Sequence, residues 1–243
     1  MTLLWLISLK LKNSSIVDIF WGTGFVILTW IAFLLTPEGF LTRKLILSLL
    51  VTIWGLRLSL HILRRNWRKS EDIRYQVWRN AAGTAWWWHS FFKVFLLQGA
   101  ILWIVSAPLI AAQISSTPNR LTWLDYLAIM FWLIGFFFEA VGDWQLMRFK
   151  ANSDNGGKVL QTGVWRYTRH PNYFGDATQW WAFYLFALLT GNWWTIFSPV
   201  IMTTLLLRVS GVTLLEKNLK EQRPGYAEYI ESTSGFIPWR PRK

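Results

Sequence analysis

The chain has 243 residues, 53% of them hydrophobic and only 16% charged, against about 25% charged in soluble domains. That balance, with 19 tryptophans of the kind that gather where apolar rings meet a wet interface, excludes an ordinary soluble protein and points to the membrane. The formal charge of +12 then reads as basic loops facing an anionic membrane surface rather than as a nucleic-acid partner, and the lack of cysteine excludes disulfides and thiolate chemistry.

A membrane-crossing helix needs roughly 20 mostly apolar residues. Residues 1–9 are apolar but too short to span alone. Lysines follow rather than precede the run and no small-residue cleavage site appears, so it does not read as a signal peptide. Candidate spans follow at Ile19–Leu35, closed by Pro37, at Leu45–Leu63, at Phe91–Ala112, and at Leu121–Phe138 with a possible helical extension to Met147. Ala177–Leu189 and Trp194–Leu215 complete the set, split by the turn at Gly191-Asn192. The expectation is an all-α, polytopic membrane helix bundle of six to seven transmembrane helices. It forms one integral membrane domain over 1–243, with cytosolic loops at 64–90 and 148–175 and a cytosolic tail at 216–243.

Positive charge sets the orientation. Alternate connections hold 19 Lys and Arg residues, whereas the opposite connections hold only Arg43, Lys44 and Arg120. Basic loops stay in the cytosol, so the rich side is cytosolic, and the alternation requires the first short segment to count as a crossing. Ionisable residues gather toward the same side: Asp18, Arg57, His61, Lys93, Glu139, Asp143, Asp176, Arg208 and Glu216. Charges within the bilayer are costly and mark sites. Snorkelling and helix-dipole pairing at the interface would place them there as well, but the whole set on one side suggests a cavity open to the cytosol.

Two cytosolic segments stand out. One is Glu71-Asp72-Ile73-Arg74-Tyr75, which also reads as a solvated, salt-bridged loop. The other runs from Asp143 to Asp176 and includes Asn155-Gly156-Gly157-Lys158 and Gly163-Val164-Trp165-Arg166-Tyr167-Thr168-Arg169-His170-Pro171-Asn172-Tyr173-Phe174-Gly175-Asp176. Long loops in compact folds are usually functional, glycines admit close approach of backbone to a ligand, and Arg and Lys complement phosphate. The segment is a candidate cradle for a phosphorylated cofactor, although no Rossmann or P-loop signature is present. Three scattered histidines give no metal-ligand spacing, so no metal is expected.

On these residues the chain resembles the bacterial membrane proteins grouped as DUF1295, which are related to the steroid 5-alpha-reductases. The resemblance runs from Asp18-Ile19-Phe20-Trp21-Gly22 through Glu71-Asp72-x-Arg74-Tyr75 and Gly163 to Gly175, then to Arg223-Pro224-Gly225-Tyr226-x-x-Tyr229, Thr233, Phe236 and Pro238. It implies a seven-helix bundle in a bacterial inner membrane that binds NADPH from the cytosolic side and reduces an activated double bond of a lipophilic, lipid-like or steroid-like substrate. The residues it implies for the cofactor are Asp143, Lys150, Lys158, Asn172, Asp176 and Tyr226 or Tyr229. Arg166, Tyr167, Arg169 and His170 complete the cofactor set, although Arg166, Arg169 and His170 have no basic counterpart in the steroid enzymes and match a methyltransferase-like motif more closely. The run Arg169-His170-Pro171-x-Tyr173-x-Gly175 is also similar to the cofactor motif of isoprenylcysteine and phospholipid methyltransferases, which implies S-adenosylmethionine as the alternative.

For catalysis the steroid enzymes use a glutamate on the second helix and a tyrosine on the third. Here Asp18 approximates the acid, and the third helix offers Arg57 and His61 but no tyrosine in the comparable region. Asp18 as a helix N-cap or as a partner of Arg57 is the competing reading.

Overall fold

Apolar runs of this length satisfy their backbone polar groups within the segment, and helices do so most simply in a membrane. The computed structural model describes residues 1–209, Glu216 and residues 223–242, and every regular element among them is a helix. Four are long and apolar enough to cross a membrane: Ile16–Leu35, Leu41–Asn66, the continuous helical run Ile73–Ile114, and Trp123–Ala151. Large apolar side chains such as Leu34, Leu60 and Trp103 lie mostly exposed on these helices, as a lipid-facing surface requires. Of the expected span Trp194–Leu215, residues 210–215 lie outside the described residues, as do Lys217, Lys220 and Lys243 of the basic tail.

The chain divides into two compact units, Met1–Arg120 and Leu121–Lys243. In the first, the ten-residue helix α1 (Thr2–Leu11) turns into α2 (Ile16–Leu35). Helix α2 stops before Pro37 and pairs antiparallel with α3 (Leu41–Asn66). Gly22 and Gly55 let the backbones touch: a Cβ on Gly22 would sit 2.1 Å from the Gly55 carbonyl oxygen. Thr23 with Ser59 and Trp30 with Thr52 hydrogen-bond across the same seam. The segment expected as loop 64–90 instead carries α4 (Ile73–Ala82) and α5 (Trp86–Ser90). A π-helical turn at Phe91–Leu96 leads on to α6 (Leu97–Val105) and α7 (Ala107–Ile114). Arg43 is fully buried and closes this unit by donating to the carbonyls of Pro118 and Arg120, both at 2.9 Å.

The second unit is built on α8 (Trp123–Ala151) and α9 (Pro171–Leu188). Thr122 and Asp125 form a capping box at the start of α8. The two helices meet at Gly135 and Gly175, where an added Cβ on Gly175 would lie 2.4 Å from the Gly135 carbonyl oxygen. Gln179 donates to Glu139 at 2.6 Å in the buried seam. Helix α10 (Phe197–Thr204) and the short tail helix α11 (Tyr226–Ser232) follow. One boundary differs in a way that matters for the site. The irregular segment is shorter than the expected 148–175, because α8 continues to Ala151 and α9 already begins at Pro171. Proline is favoured at the first helical position, where its missing N–H costs nothing. Asn172 and Asp176 are therefore helical residues.

Candidate functional site

In the first unit, Asp18 stands in the opening turn of α2, behind the N-cap position held by Ser15. It is neither the cap nor a partner of Arg57. Its Oδ1 accepts from the Tyr75 hydroxyl at 2.7 Å and its Oδ2 from Arg74 Nη2 at 2.9 Å. Tyr75 is buried, and its hydroxyl also accepts from Gln98 Nε2 at 3.0 Å, whose own oxygen accepts from Trp21 Nε1 at 2.5 Å. The result is a chain of polar groups from α6 through α4 to α2.

Helix α4 is held there by the two acids before it. Asp72 caps its N-terminus and pairs with Arg74 Nε at 2.9 Å. Glu71 is forked by Arg79, at 2.8 Å to each carboxylate oxygen, and accepts from the Ser14 N–H at 2.5 Å. Burial alone would raise the Glu71 carboxyl, but the bonds from Arg79 and Ser14 outweigh it and hold the group below its ordinary range. Asp72 is held low in the same way, by the Arg74 side chain and N–H. Arg57 and His61 lie half-buried on α3, and both are engaged in interactions of their own.

In the second unit, Asn172 in the first turn of α9 donates to Asp143 Oδ1 on α8 at 3.1 Å. Neighbouring bonds fix the segment between those helices: Trp165 Nε1 donates to the Gly142 carbonyl at 3.1 Å, and the Val164 N–H to Gln145 Oε1 at 3.1 Å. Gly163 holds a left-handed φ of 63° and lies against Gln145 where a side chain would collide.

The tail clasps this segment. The Tyr229 hydroxyl donates to the Trp165 carbonyl at 2.5 Å, the Thr168 hydroxyl to the Phe236 carbonyl at 2.8 Å, and the Trp239 N–H to the Tyr167 carbonyl at 2.9 Å. Arg223 donates to the Lys158 carbonyl. Arg169 donates to Glu216 at 2.8 Å and to the carbonyls of Ile230 and Thr233 at 3.1 and 2.7 Å. His170 is buried, with Nε2 3.0 Å from the same Glu216 oxygen. Partial burial would raise the Glu216 carboxyl; the bonds from His170 and Arg169 outweigh it and hold it at about 2. Burial pushes Tyr226 up to about 12 and Tyr229 up as well, so both stay neutral.

The expected cofactor residues thus separate by surroundings. Asp143 and Asn172 are bonded together. Lys150, Lys158, Arg166 and Tyr167 are exposed. Arg169, His170 and Tyr229 spend their polar atoms on the tail, Tyr226 packs edge-on against Tyr229, and Asp176 sits half-buried on α9 with a partner of its own. Two groups missing from the expected set are central. Tyr75 stood in a motif that sequence analysis singled out, but its partner Asp18 lies 57 residues away. Glu216 was visible only as a charge at a helix end.

A family model described as "Protein of unknown function (DUF1295)" matches residues 4–233. An uncharacterized protein of the fission yeast Schizosaccharomyces pombe is 26% identical over 267 residues, covering 97% of this chain and 75% of the yeast protein. That relative is eukaryotic, so the expected bacterial inner membrane draws no support from it. No solved structure matches the chain.

Proposed function

The chain belongs to the DUF1295 family, and we propose that it is a membrane-embedded reductase that uses NADPH to saturate an activated carbon–carbon double bond in a lipid-like substrate. The observation that carries this reading is the hydrogen-bonded pair of Asp18 and Tyr75. An acid and a tyrosine are the catalytic groups that the resemblance to steroid 5-alpha-reductases implies, and the tyrosine comes from α4 rather than α3. When bound, NADPH supplies the hydride for the β carbon of such a double bond. Negative charge then builds on the substrate's carbonyl oxygen and needs a donor, since stabilising that charge is a major part of catalysis. The proton shared between Tyr75 Oη and Asp18 Oδ1 is the one this chain offers. Arg74 holds the second oxygen of Asp18, and Gln98 holds the hydroxyl from the other side. Arg57 and His61 are retained as substrate-polarising groups.

The donor set of the second unit suits the cofactor. A pyrophosphate and a 2′-phosphate call for several cations, and Lys150, Lys158 and Arg166 are exposed to supply them. Asn172 and Asp143 offer amide and carboxyl hydrogen-bonding groups, with Asp176 on the same helix as Asn172. Arg169 and His170 support the segment through Glu216. In this reading the chain crosses the membrane six to seven times. The four long helices are supplemented by α9, by α10 with its continuation, and by α1, and the basic segments face the cytosol.

The test is thermal stabilisation of the detergent-purified protein by NADPH, NADH and S-adenosylmethionine in parallel. A ligand that binds only the folded state at about 100 times its Kd adds about 2.7 kcal/mol. The expected result is a shift with NADPH and a smaller one with NADH. A shift with S-adenosylmethionine alone would replace the reductase by a methyltransferase.

A further inference from the structure

The tail does more than clasp the segment before α9. Its last residues leave an open groove of about 560 Å³, lined by Phe138, Tyr167, Pro238, Trp239 and Arg240. That volume lies within the roughly 300–1,000 Å³ of ordinary ligand sites. We propose that the groove seats one anionic phospholipid, with an acyl chain along Phe138 and the phosphate on the Arg240 guanidinium.

The argument starts from where the floor lies. Phe138 belongs to the membrane-crossing helix α8, whose neighbouring residues Leu133, Ile134 and Phe137 are exposed and apolar. Behind it, Phe174 packs edge-on at 5.2 Å and Phe236 continues the aromatic wall at 6.0 Å from Phe174. The rim has a different composition. Trp239 is 72% exposed and Arg240 is exposed beside it. An apolar floor at membrane depth under a Trp and Arg rim is the arrangement of the headgroup level, where rings and cationic heads meet lipid phosphate. The charge is complementary to an anion: no described acid lies within ion-pair distance of Arg240, and Arg166 and Arg242, on the two segments that form the rim, add the same sign. The strap that carries the rim is held by backbone, through the bonds of Trp239 to Tyr167 and of Arg242 to Ser232, so its side chains are free to serve a ligand. Tyr167 and Arg166 also stand in the expected cofactor set, so the lipid probes are added without NADPH, and their failure leaves the reductase reading untouched.

The probes are dioleoyl-phosphatidylglycerol, dioleoyl-phosphatidylcholine and inorganic phosphate, each added to the full chain in neutral detergent while thermal unfolding is followed. Phosphatidylglycerol should stabilise more than phosphatidylcholine, and phosphate alone should do nothing. Arg240→Gln should weaken the apparent affinity for phosphatidylglycerol about fivefold, the equivalent of about 1 kcal/mol for one cation at an anionic headgroup, and change the response to phosphatidylcholine, whose phosphate is offset by its own ammonium, by less. Native mass spectrometry of the unaltered chain should show phosphatidylglycerol retained over phosphatidylcholine. Equal stabilisation by the two lipids, an unaltered response in Arg240→Gln, or a full shift from phosphate alone would each overturn the proposal.

Discussion

Replacing Glu216 by Gln tests how the tail is fastened. Oε1 of Glu216 takes hydrogen bonds from Arg169 at 2.8 Å and His170 at 3.0 Å, and Arg169 carries the carbonyls of Ile230 and Thr233 on the same guanidinium. A carboxyl held at about 2 instead of its ordinary 4.5, at 1.36 kcal/mol for each tenfold change, carries about 3 kcal/mol at neutral pH. The Glu216 side chain is 18% exposed and only partly enclosed, so screening by solvent trims this to about 2–3 kcal/mol. Because the folded value is depressed, the contribution is complete above pH 4.5 and is lost as the pH falls toward 2. An amide at this position still accepts a hydrogen bond but carries no charge, so the variant should lose about 2–3 kcal/mol at pH 7. At roughly 2–4 °C per kcal/mol for a chain of this length, Tm should fall by about 5–10 °C. Thermal unfolding in detergent measures the loss. Hydrogen exchange over residues 223–242 should show where it falls, with faster exchange in the tail than in α8. Between pH 4.5 and 2 the parent should lose stability and the variant should change little through this group. A variant as stable as the parent at pH 7, or one with the same acid-induced loss, would refute the reasoning.

Three further outcomes follow. Tyr75→Phe removes a buried hydroxyl bonded to Asp18 and Gln98, and should cost about 2–3 kcal/mol of stability while abolishing reduction with NADPH affinity within about twofold; retained turnover would remove Tyr75 from the chemistry. Asn172→Ala should weaken NADPH binding about tenfold in a titration while the purified protein remains folded by circular dichroism, and Asp176→Ala should do the same; unchanged affinity in both would take the start of α9 out of the cofactor site. Gly175→Leu drives a side chain into the backbone of α8 and should prevent recovery of folded protein, read as loss of the monodisperse peak in size-exclusion chromatography; normal recovery would show that the helix seam can open.

How much of this was legible in the sequence varies by residue. Helix α2 was read nearly in full, because its run is uniformly apolar and Pro37 stops it. The rest of the apolar pattern gave the helical class, and four of its segments appear as long spans. The start of α9 was misplaced because Asn172 and Asp176 make that stretch polar, and polarity outweighed the helix-starting signal of Pro171. The same polarity hid α4, which is fixed by the Asp72 cap and the Glu71–Arg79 fork, contacts made after folding. At the candidate site, Asp18 was found because an acid near a membrane segment is rare. Its true partners were not, since Tyr75 and Arg74 approach from more than 50 residues away and no local period records that approach. Arg169 looked like a free cation for the same reason: Glu216, 47 residues further on, pairs with it only in the fold.

The most direct measurement is isotope transfer. NADPH carrying deuterium at the transferable C4 position is incubated with the purified protein and a lipid extract, with methyl-labelled S-adenosylmethionine in a parallel reaction, and the lipids are analysed by mass spectrometry. The account predicts a lipid reduced at one double bond with deuterium at the β carbon, formed by the parent and lost in Tyr75→Phe. A labelled methyl group on a lipid, with no deuterium transferred, would contradict it.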